Sequence, residues 1–108
     1  MDDFYCDELL SGRTPVRKVI ETANVIAFHH TRPSWPAHIV VTTRRHVESL
    51  LTLTDDGLLL ELLDVVRQVA AIVSAEQGGA HITTNIGKYQ DSKHIHWHVY
   101  AGERLPGR

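Results

Sequence analysis

The sequence predicts an α+β fold, an antiparallel sheet of about five strands with one long helix and a short N-terminal helix. One long segment repeats its apolar residues at helical spacing, and short β-branched segments separated by turns fill most of the remaining chain. Hydrophobic residues make up 43% of the 108 positions, enough for one core. We find no repeat or linker, so residues 1–108 are expected to form a single domain.

The short predicted elements begin with a helix around Asp7 to Ser11, ahead of Gly12. Five segments rich in β-branched or alternating residues are predicted as strands. They cover residues 16–20, 25–29, 38–42, 80–86 and 93–101. The first is expected to pair with the second, and a polar, glycine-containing turn predicts that the last two form a hairpin.

The long helix is predicted from Thr54 to about Gln77. Thr54 is the expected N-cap, and Gly78 can end the helix in the left-handed conformation. Apolar residues form one stripe at helical spacing, namely Leu59, Leu62, Leu63, Val66, Val69 and Val73. This helix is expected to pack against the sheet and to carry no chemistry.

Charge and composition exclude several classes of function. Lys+Arg 11 nearly balance Asp+Glu 13, which disfavours a general nucleic-acid binder. No apolar run reaches the roughly 20 residues of a membrane helix, and the acidic N-terminus is unlike a signal peptide. The single cysteine, Cys6, excludes an internal disulfide and favours a cytoplasmic location. The unusual feature of the composition is the presence of eight histidines in 108 residues.

The last predicted strand concentrates those histidines. Side chains alternate along a strand, so one face is expected to carry His94, His96, His98 and Tyr100. An isolated strand histidine is usually structural, but three in alternation, backed by an apolar face, favour a functional site. Neutral imidazole attacks phosphorus or acyl carbon and imidazolium stabilises phosphate oxygens, whereas His-x-His can also supply two zinc ligands.

The motif His94-Ile-His-Trp-His-Val-Tyr100 resembles the signature of the histidine triad family of nucleotide hydrolases and transferases, in which hydrophobic residues separate three histidines. Four further segments extend the resemblance over nearly the whole chain. Residues 10–15 resemble the family's Gly-x-x-Pro segment, 25–41 its nucleoside-binding stretch, 42–46 its Pro-Lys-x-His, and 85–90 its Asn…Gly…Gln turn. The nearest branch is the bacterial, nucleoside phosphoramidase-like one.

The resemblance implies a covalent mechanism that requires no cofactor. His96 would attack the α-phosphorus and form a nucleotidyl-histidine, which water or another acceptor would then resolve. His98 would hold a phosphate oxygen or assist the leaving group, His94 would organise the site by hydrogen bonds, and His38 would orient the nucleophile. The implied substrates are purine nucleoside phosphoramidates or related nucleotide conjugates, and the implied assembly is a homodimer.

The resemblance also implies binding residues. Gln90 would contact the scissile bridging atom or the leaving group, and Asn85 would lie near ribose or phosphate. Without the resemblance, both are typical turn residues and His38 is typical of a hydrogen-bonded core histidine. Phe28 fits either an adenine pocket or the core.

Two positions in the binding region depart from the family pattern. His30 stands where an aspartate commonly accepts hydrogen bonds from both ribose hydroxyls, and a neutral imidazole can accept only one. His30 is therefore expected to weaken ribose discrimination or to meet an additional phosphate, unless His29 and His30 form an exposed loop pair with no ligand role. Asp91 replaces a hydroxyl residue that donates to phosphate, so either Ser92 substitutes for it or Asp91 raises the pKa of a neighbouring histidine.

A third departure concerns metal. Many bacterial relatives hold a structural zinc with two cysteines and two histidines, whereas this chain has one cysteine. A weaker site is conceivable from Asp3, Cys6, His46 and His94. Two alternatives to the enzyme therefore stay open: a non-catalytic nucleotide-binding module, and a metalloprotein that uses the histidine strand.

Overall fold

A computed structural model describes residues 15–107. These residues confirm the α+β class, because five strands form one sheet and a single long helix packs on it. The elements are β1 (Lys18–Glu21), β2 (Val25–His29), β3 (Ala37–Thr43), α1 (Asp56–Gln77), β4 (His81–Thr84) and β5 (His96–Ala101). Short 3-10 turns cover Leu50–Thr52 and Gly87–Tyr89. The helix predicted around Asp7 to Ser11 lies outside the described residues.

The strands lie in the order β1-β2-β3-β5-β4, and all neighbours are antiparallel. The predicted pairing of β1 with β2 and the predicted β4–β5 hairpin are both confirmed. Strand β5, which carries two of the three motif histidines, therefore lies between β3 and β4. Side chains of both neighbouring strands lie beside those of β5. Among the described residues, no helix is long and apolar enough to cross a membrane.

The face of the sheet beneath α1 is the core. Its side chains are Val25, Ala27, Ile39, Val41, Trp97, Val99 and Ala101. The apolar face predicted for β5 is thus confirmed, and Trp97 packs in the core. The opposite face carries a smaller apolar group, formed by Ile26, Phe28 and Val40. Because side chains alternate, the histidines of β5 share this second face.

The N-cap of the long helix is Asp55, not Thr54, so the helix begins one residue later than this cap predicts, at Asp56. The Asp55 carboxylate accepts a hydrogen bond of 3.0 Å from the Leu58 N–H. Gly78 ends the helix with φ of 85°. The buried stripe includes Leu58 and Val65, whereas Leu63 is 42% exposed. Apolar residues run almost continuously here, so their spacing alone did not fix which of them face the sheet.

Strand β5 begins at His96, three residues later than predicted. The preceding residue leaves the sheet ladder, because the Ile95 N–H donates to the carbonyl oxygen of Val47 at 2.7 Å. The Ile95 carbonyl accepts from the Thr42 hydroxyl at 2.6 Å. His94 therefore lies ahead of the strand, and the prediction that three rings project from one strand is wrong for His94.

Candidate functional site

The sheet register brings side chains of three strands together on the face opposite α1. His98 lies between Val40 on β3 and Thr83 on β4, and His96 lies beside Thr42. His38 pairs with Tyr100, one step along the same face. The antiparallel register therefore places His38 diagonally beside His98, although sixty residues separate them in sequence.

A chain of hydrogen bonds fixes the protons of His38 and His98. The Ser34 N–H donates to Nδ1 of His38 at 3.0 Å, so this nitrogen carries no proton. Neutral His38 is therefore protonated on Nε2, which lies 3.0 Å from Nδ1 of His98 and donates to it. Neutral His98 must then carry its proton on Nε2, which makes that nitrogen a hydrogen-bond donor.

Burial keeps both rings neutral at pH 7. Burial, together with the neighbouring His30 and His98, lowers the pKa of His38 to about 3. Burial also lowers the pKa of His98 to about 4, with His96 and His30 contributing in the same direction. The cluster therefore offers oriented N–H groups, not fixed positive charges.

His96 is held in the complementary tautomer. Its Nδ1 lies 2.7 Å from the carbonyl oxygen of His94, and because a carbonyl can only accept, Nδ1 carries the proton. In the neutral ring the lone pair is then on Nε2. Burial lowers the pKa of His96, although the hydrogen bond to His94 and the charge of Asp91 oppose this shift. The rings of His96 and His98 are 5.0 Å apart, nearly perpendicular.

His94 orients the ring of His96 through its backbone carbonyl group. Its own ring is fully buried, with Nε2 2.7 Å from the carbonyl oxygen of Thr43, and it meets the ring of His46 edge-on at 5.2 Å. The carbonyl of His94, not its imidazole, is the group that orients His96. An organising role through hydrogen bonds was the expectation for His94.

Two adjoining cavities open beside His98, and both are lined by His30, Asp91 and His98. The first, here the Phe28 cavity, has a volume of about 360 Å³. Its other lining residues are Phe28, Thr31, Arg32, Val40 and Ser92. The second, here the Trp35 cavity, has a volume of about 280 Å³. Its other lining residues are Ser34, Trp35, His38, Thr83, Asn85 and Tyr100.

His96 does not line either cavity and is 3% exposed. Its ring contacts that of His98, which lines both cavities. The nucleophile expected from the sequence is therefore adjacent to the cleft but largely covered.

His30 lines both cavities and contacts the cluster. Its ring stacks on His38 with a centroid separation of 4.4 Å, and its Nδ1 accepts the N–H of Arg32 at 2.9 Å. Neutral His30 therefore carries its proton on Nε2, and burial lowers its pKa. Its one acceptor nitrogen is already used, so His30 offers the cleft a donor in place of an acceptor.

Asp91 contributes charge to the cleft. It lines both cavities, and its carboxylate raises the pKa of His30, His96 and His98 against the larger effect of burial. Of the two consequences expected for Asp91, the electrostatic effect on neighbouring histidines is thus present. Ser92 also lines the Phe28 cavity, and its buried Oγ has no hydrogen-bond partner among the described residues.

The two expected amide residues differ in their placement. Asn85 lines the Trp35 cavity. The Gln90 amide is buried and lines neither cavity, because it is bonded to backbone: Oε1 accepts the Gly87 N–H, and Nε2 donates to the carbonyls of Glu48 and Ser92. The structure therefore places Gln90 as a support for the turn before β5.

Metal ligation fits the described residues poorly. One ring nitrogen from each of His30, His38 and His98 lies within 4.8 Å of the others. However, backbone N–H groups occupy Nδ1 of both His30 and His38, so the remaining nitrogens are protonated and lack a lone pair for a cation. Of the weaker zinc set, His46 and His94 are neighbours, whereas Asp3 and Cys6 lie outside the described residues.

Sequence reasoning missed several residues of the cleft, among them Arg32 and Ser34. Arg32 lines the Phe28 cavity, and the Ser34 N–H sets the tautomers of the cluster. Both lie in the loop between β2 and β3, where Trp35 stacks on Tyr100 at 4.0 Å. Pro33 and Pro36 favour a loop at this place in the sequence, but a contact made by a backbone N–H leaves no signal in residue types.

Known proteins provide the comparison. The family model for the HIT domain matches residues 11–105. A 13.2 kDa HIT-like protein of Azospirillum brasilense is 32% identical over 102 residues, covering 90% of this chain and 84% of its own. An adenosine 5'-monophosphoramidase of Candida albicans is 26% identical over 103 residues, covering 88% of this chain and 66% of its own.

The same similarity extends to a solved structure. A histidine triad protein of Clostridium difficile superposes with a TM-score of 0.79 and 31% identity, covering 100% of this chain and 96% of that one. The family match, the fold and the motif on β5 agree with one another. The chain belongs to the HIT (histidine triad) domain family.

Proposed function

We propose that this protein is a nucleotide hydrolase or transferase that acts at the α-phosphate through a nucleotidyl-histidine on His96. The observation that carries the proposal is the 2.7 Å hydrogen bond between His96 Nδ1 and the carbonyl oxygen of His94. It keeps the proton on Nδ1 and leaves the lone pair on Nε2, the nitrogen that would bond to phosphorus. The lowered pKa of His96 keeps this lone pair available at pH 7.

The proposed reaction has two displacements. In the first, the Nε2–P bond forms while the bond between phosphorus and the leaving group breaks, and the leaving group departs with the bonding pair and takes a proton from solvent. In the second, water attacks phosphorus, the Nε2–P bond breaks, and the proton from water returns to solvent. The Nε2–H of His98 donates to a phosphate oxygen as charge develops in both steps.

The Phe28 cavity is suited to the nucleotide part of the substrate. Phe28 and Val40 provide an apolar wall for a base, and Arg32 provides the positive charge that a phosphate favours. His30 adds a donor where the family pattern supplies an acceptor for ribose hydroxyls. We therefore propose a purine nucleoside phosphoramidate, or a related conjugate, recognised mainly through base and phosphate. The activity named for the Candida relative supports this substrate class.

Release of AMP from adenosine 5'-phosphoramidate tests the proposal. We expect His96→Ala to abolish turnover, and mass spectrometry of acid-quenched wild-type protein to locate an adenylyl group on His96. His29→Ala is the matched control, because His29 lies at the end of β2 and lines neither cavity. Turnover that survives in His96→Ala, with unchanged kcat, would contradict the mechanism.

A second candidate function is nucleotide binding without turnover. The burial of His96, which is 3% exposed and lines neither cavity, favours it. This alternative predicts measurable affinity for nucleoside monophosphates by calorimetry. It also predicts no product from a panel of phosphoramidates and dinucleoside polyphosphates, even after long incubation.

We further propose that the protein acts as a homodimer in the cytoplasm and requires no cofactor. The resemblance supports the first and last of these points, and the single cysteine supports the location. Leu60 and Leu63 are 70% and 42% exposed on α1, which offers apolar surface to a second copy. Sedimentation of the wild type against Leu60→Lys tests the dimer, since a charge on that surface should shift the protein toward monomer.

A further inference from the structure

Because His98 lines both cavities, the two parts of a substrate, its nucleotide and its leaving group, can occupy different cavities. If the nucleotide occupies the Phe28 cavity and its phosphate contacts His98, the group on the other side of phosphorus extends toward the Trp35 cavity. This step rests on the proposed function. The chemistry of the Trp35 cavity then indicates which leaving groups the protein accepts.

The Trp35 cavity has a negative electrostatic character. Among its described lining residues, Asp91 carries the only formal charge once the histidines are neutral, and neither lysine nor arginine is present. Arg32 lines the neighbouring cavity, and Arg104 lies 5.5 Å above the Trp35 ring without lining the cavity. An anionic leaving group such as a polyphosphate would therefore lie beside a carboxylate with no cation in the wall to offset it.

The walls of this cavity favour an organic leaving group. Trp35 and Tyr100 stack on each other at 4.0 Å and form a rigid aromatic side, which suits the methylene groups of an alkyl chain. Asn85 and Thr83 add neutral polar groups. A volume of about 280 Å³ accommodates a short chain that ends in an ammonium group near Asp91.

We propose that the Trp35 cavity binds a cationic leaving group and that Asp91 selects for it. The preferred substrates are then nucleoside phosphoramidates of diamines or other basic amines, not dinucleoside polyphosphates. In the reaction the P–N bond breaks, the released nitrogen keeps the bonding pair and gains a proton from solvent, and the second ammonium group stays beside Asp91 throughout.

Three adenosine 5'-phosphoramidates of equal chain length test the proposal. Their amine parts end in an ammonium, a methyl or a carboxylate group, and kcat/KM for the methyl compound is the reference. We expect the ammonium compound to exceed the carboxylate compound at least tenfold in the wild type. Asp91→Asn should reduce that ratio about five- to tenfold, which is the size expected for one nearby charge partly screened by water.

Asp64→Asn is the matched control, because it removes the same charge from the exposed surface of α1. It should leave the ratio unchanged, and added salt should narrow the ratio for the wild type more than for Asp91→Asn. An equal ratio in the wild type and Asp91→Asn, with all three compounds turned over, would overturn the inference and leave the proposed function standing. Failure of the wild type to turn over any compound would overturn both.

Discussion

The hydroxyl of Thr42 on β3 donates a 2.6 Å hydrogen bond to the carbonyl oxygen of Ile95, the residue between the first two histidines of the motif. Both groups are buried. This bond holds the chain at the point where it enters β5, immediately before His96 turns its ring toward the cluster. A neighbouring strand thus fixes the segment that orients the proposed nucleophile.

Removing this bond should destabilise the fold. Thr42→Val keeps the shape of the side chain but leaves the Ile95 carbonyl without its partner, which costs about 1–3 kcal/mol. We expect the urea midpoint to fall accordingly, with an unchanged m-value. Thr54→Val, at an exposed position ahead of α1, should change the free energy of unfolding by less than about 0.5 kcal/mol. Equal stability of the two variants would contradict the prediction.

The pKa of His98 should depend on His38. His38→Gln retains an amide N–H near Nδ1 of His98, whereas His38→Ala removes the donor and admits water. Since burial is the main cause of the low pKa of His98, we expect this pKa to rise from about 4 toward 6.5 in His38→Ala. The rise should be smaller in His38→Gln. Nitrogen-detected NMR titration of His98 measures both effects, and an unchanged pKa in His38→Ala would refute the argument.

Stability should decrease as the solution is made acidic. The folded-state pKa values of His38 and His98 lie near 3 and 4, below the ordinary 6.5, so the unfolded chain binds more protons between these values. The contribution of these two histidines to the free energy of unfolding is complete above pH 6.5, and it is lost as the pH falls through their folded-state pKa values. Urea unfolding at pH 7, 6, 5 and 4 should show this fall, and a shallower one in His38→Gln. A free energy of unfolding that stays constant from pH 7 to pH 4 in the wild type would contradict this prediction.

A variant of Gln90 should show whether its side chain has a structural or a catalytic role. Gln90→Met removes three hydrogen bonds to Gly87, Glu48 and Ser92, and should lower the free energy of unfolding by about 2–4 kcal/mol. If the side chain only supports the turn, the loss of kcat/KM should be the same for good and poor leaving groups. A loss that grows with the pKa of the leaving group would instead indicate contact with the scissile bond.

Removal of metal should leave the proposed activity intact. The tautomers of His30 and His38 present N–H groups, which suit an anion and not a cation. Untagged protein dialysed against a chelator should retain its kcat with adenosine 5'-phosphoramidate. Loss of activity that zinc restores would contradict this expectation, and metal content before and after dialysis provides the control.

Periodicity predicted the overall fold because most elements have one clear apolar face. The bounds of β2 were predicted correctly, and the alternation of β5 correctly placed Trp97 in the core. The sequence predicted less well which face of α1 packs against the sheet, because leucines and valines occur on more than one face of this helix. The position of His94 depends on two hydrogen bonds of Ile95 to distant residues, and these have no signature in local spacing.

The candidate site was predictable only in part for a similar reason. The motif and the resemblance selected His96, His98 and His38. The stacking of His30 on His38 and the use of the Gln90 amide by backbone groups depend on loop conformation. Residue types indicate which chemistry is available, whereas the proton on each imidazole is decided by neighbours that only the folded chain supplies.

Strand β5 is inserted between β3 and β4 although it follows both in the chain. Before it docks, those two strands have no partner on the facing edges, and His38 and His98 remain apart. The cleft therefore cannot exist in a half-formed sheet: closing the sheet and completing the site are the same event. A chain that stalls short of this step has two open strand edges able to pair with other molecules, and it lacks the cleft in which we propose that the nucleotide binds. We therefore expect such copies to be inactive as well as prone to aggregate.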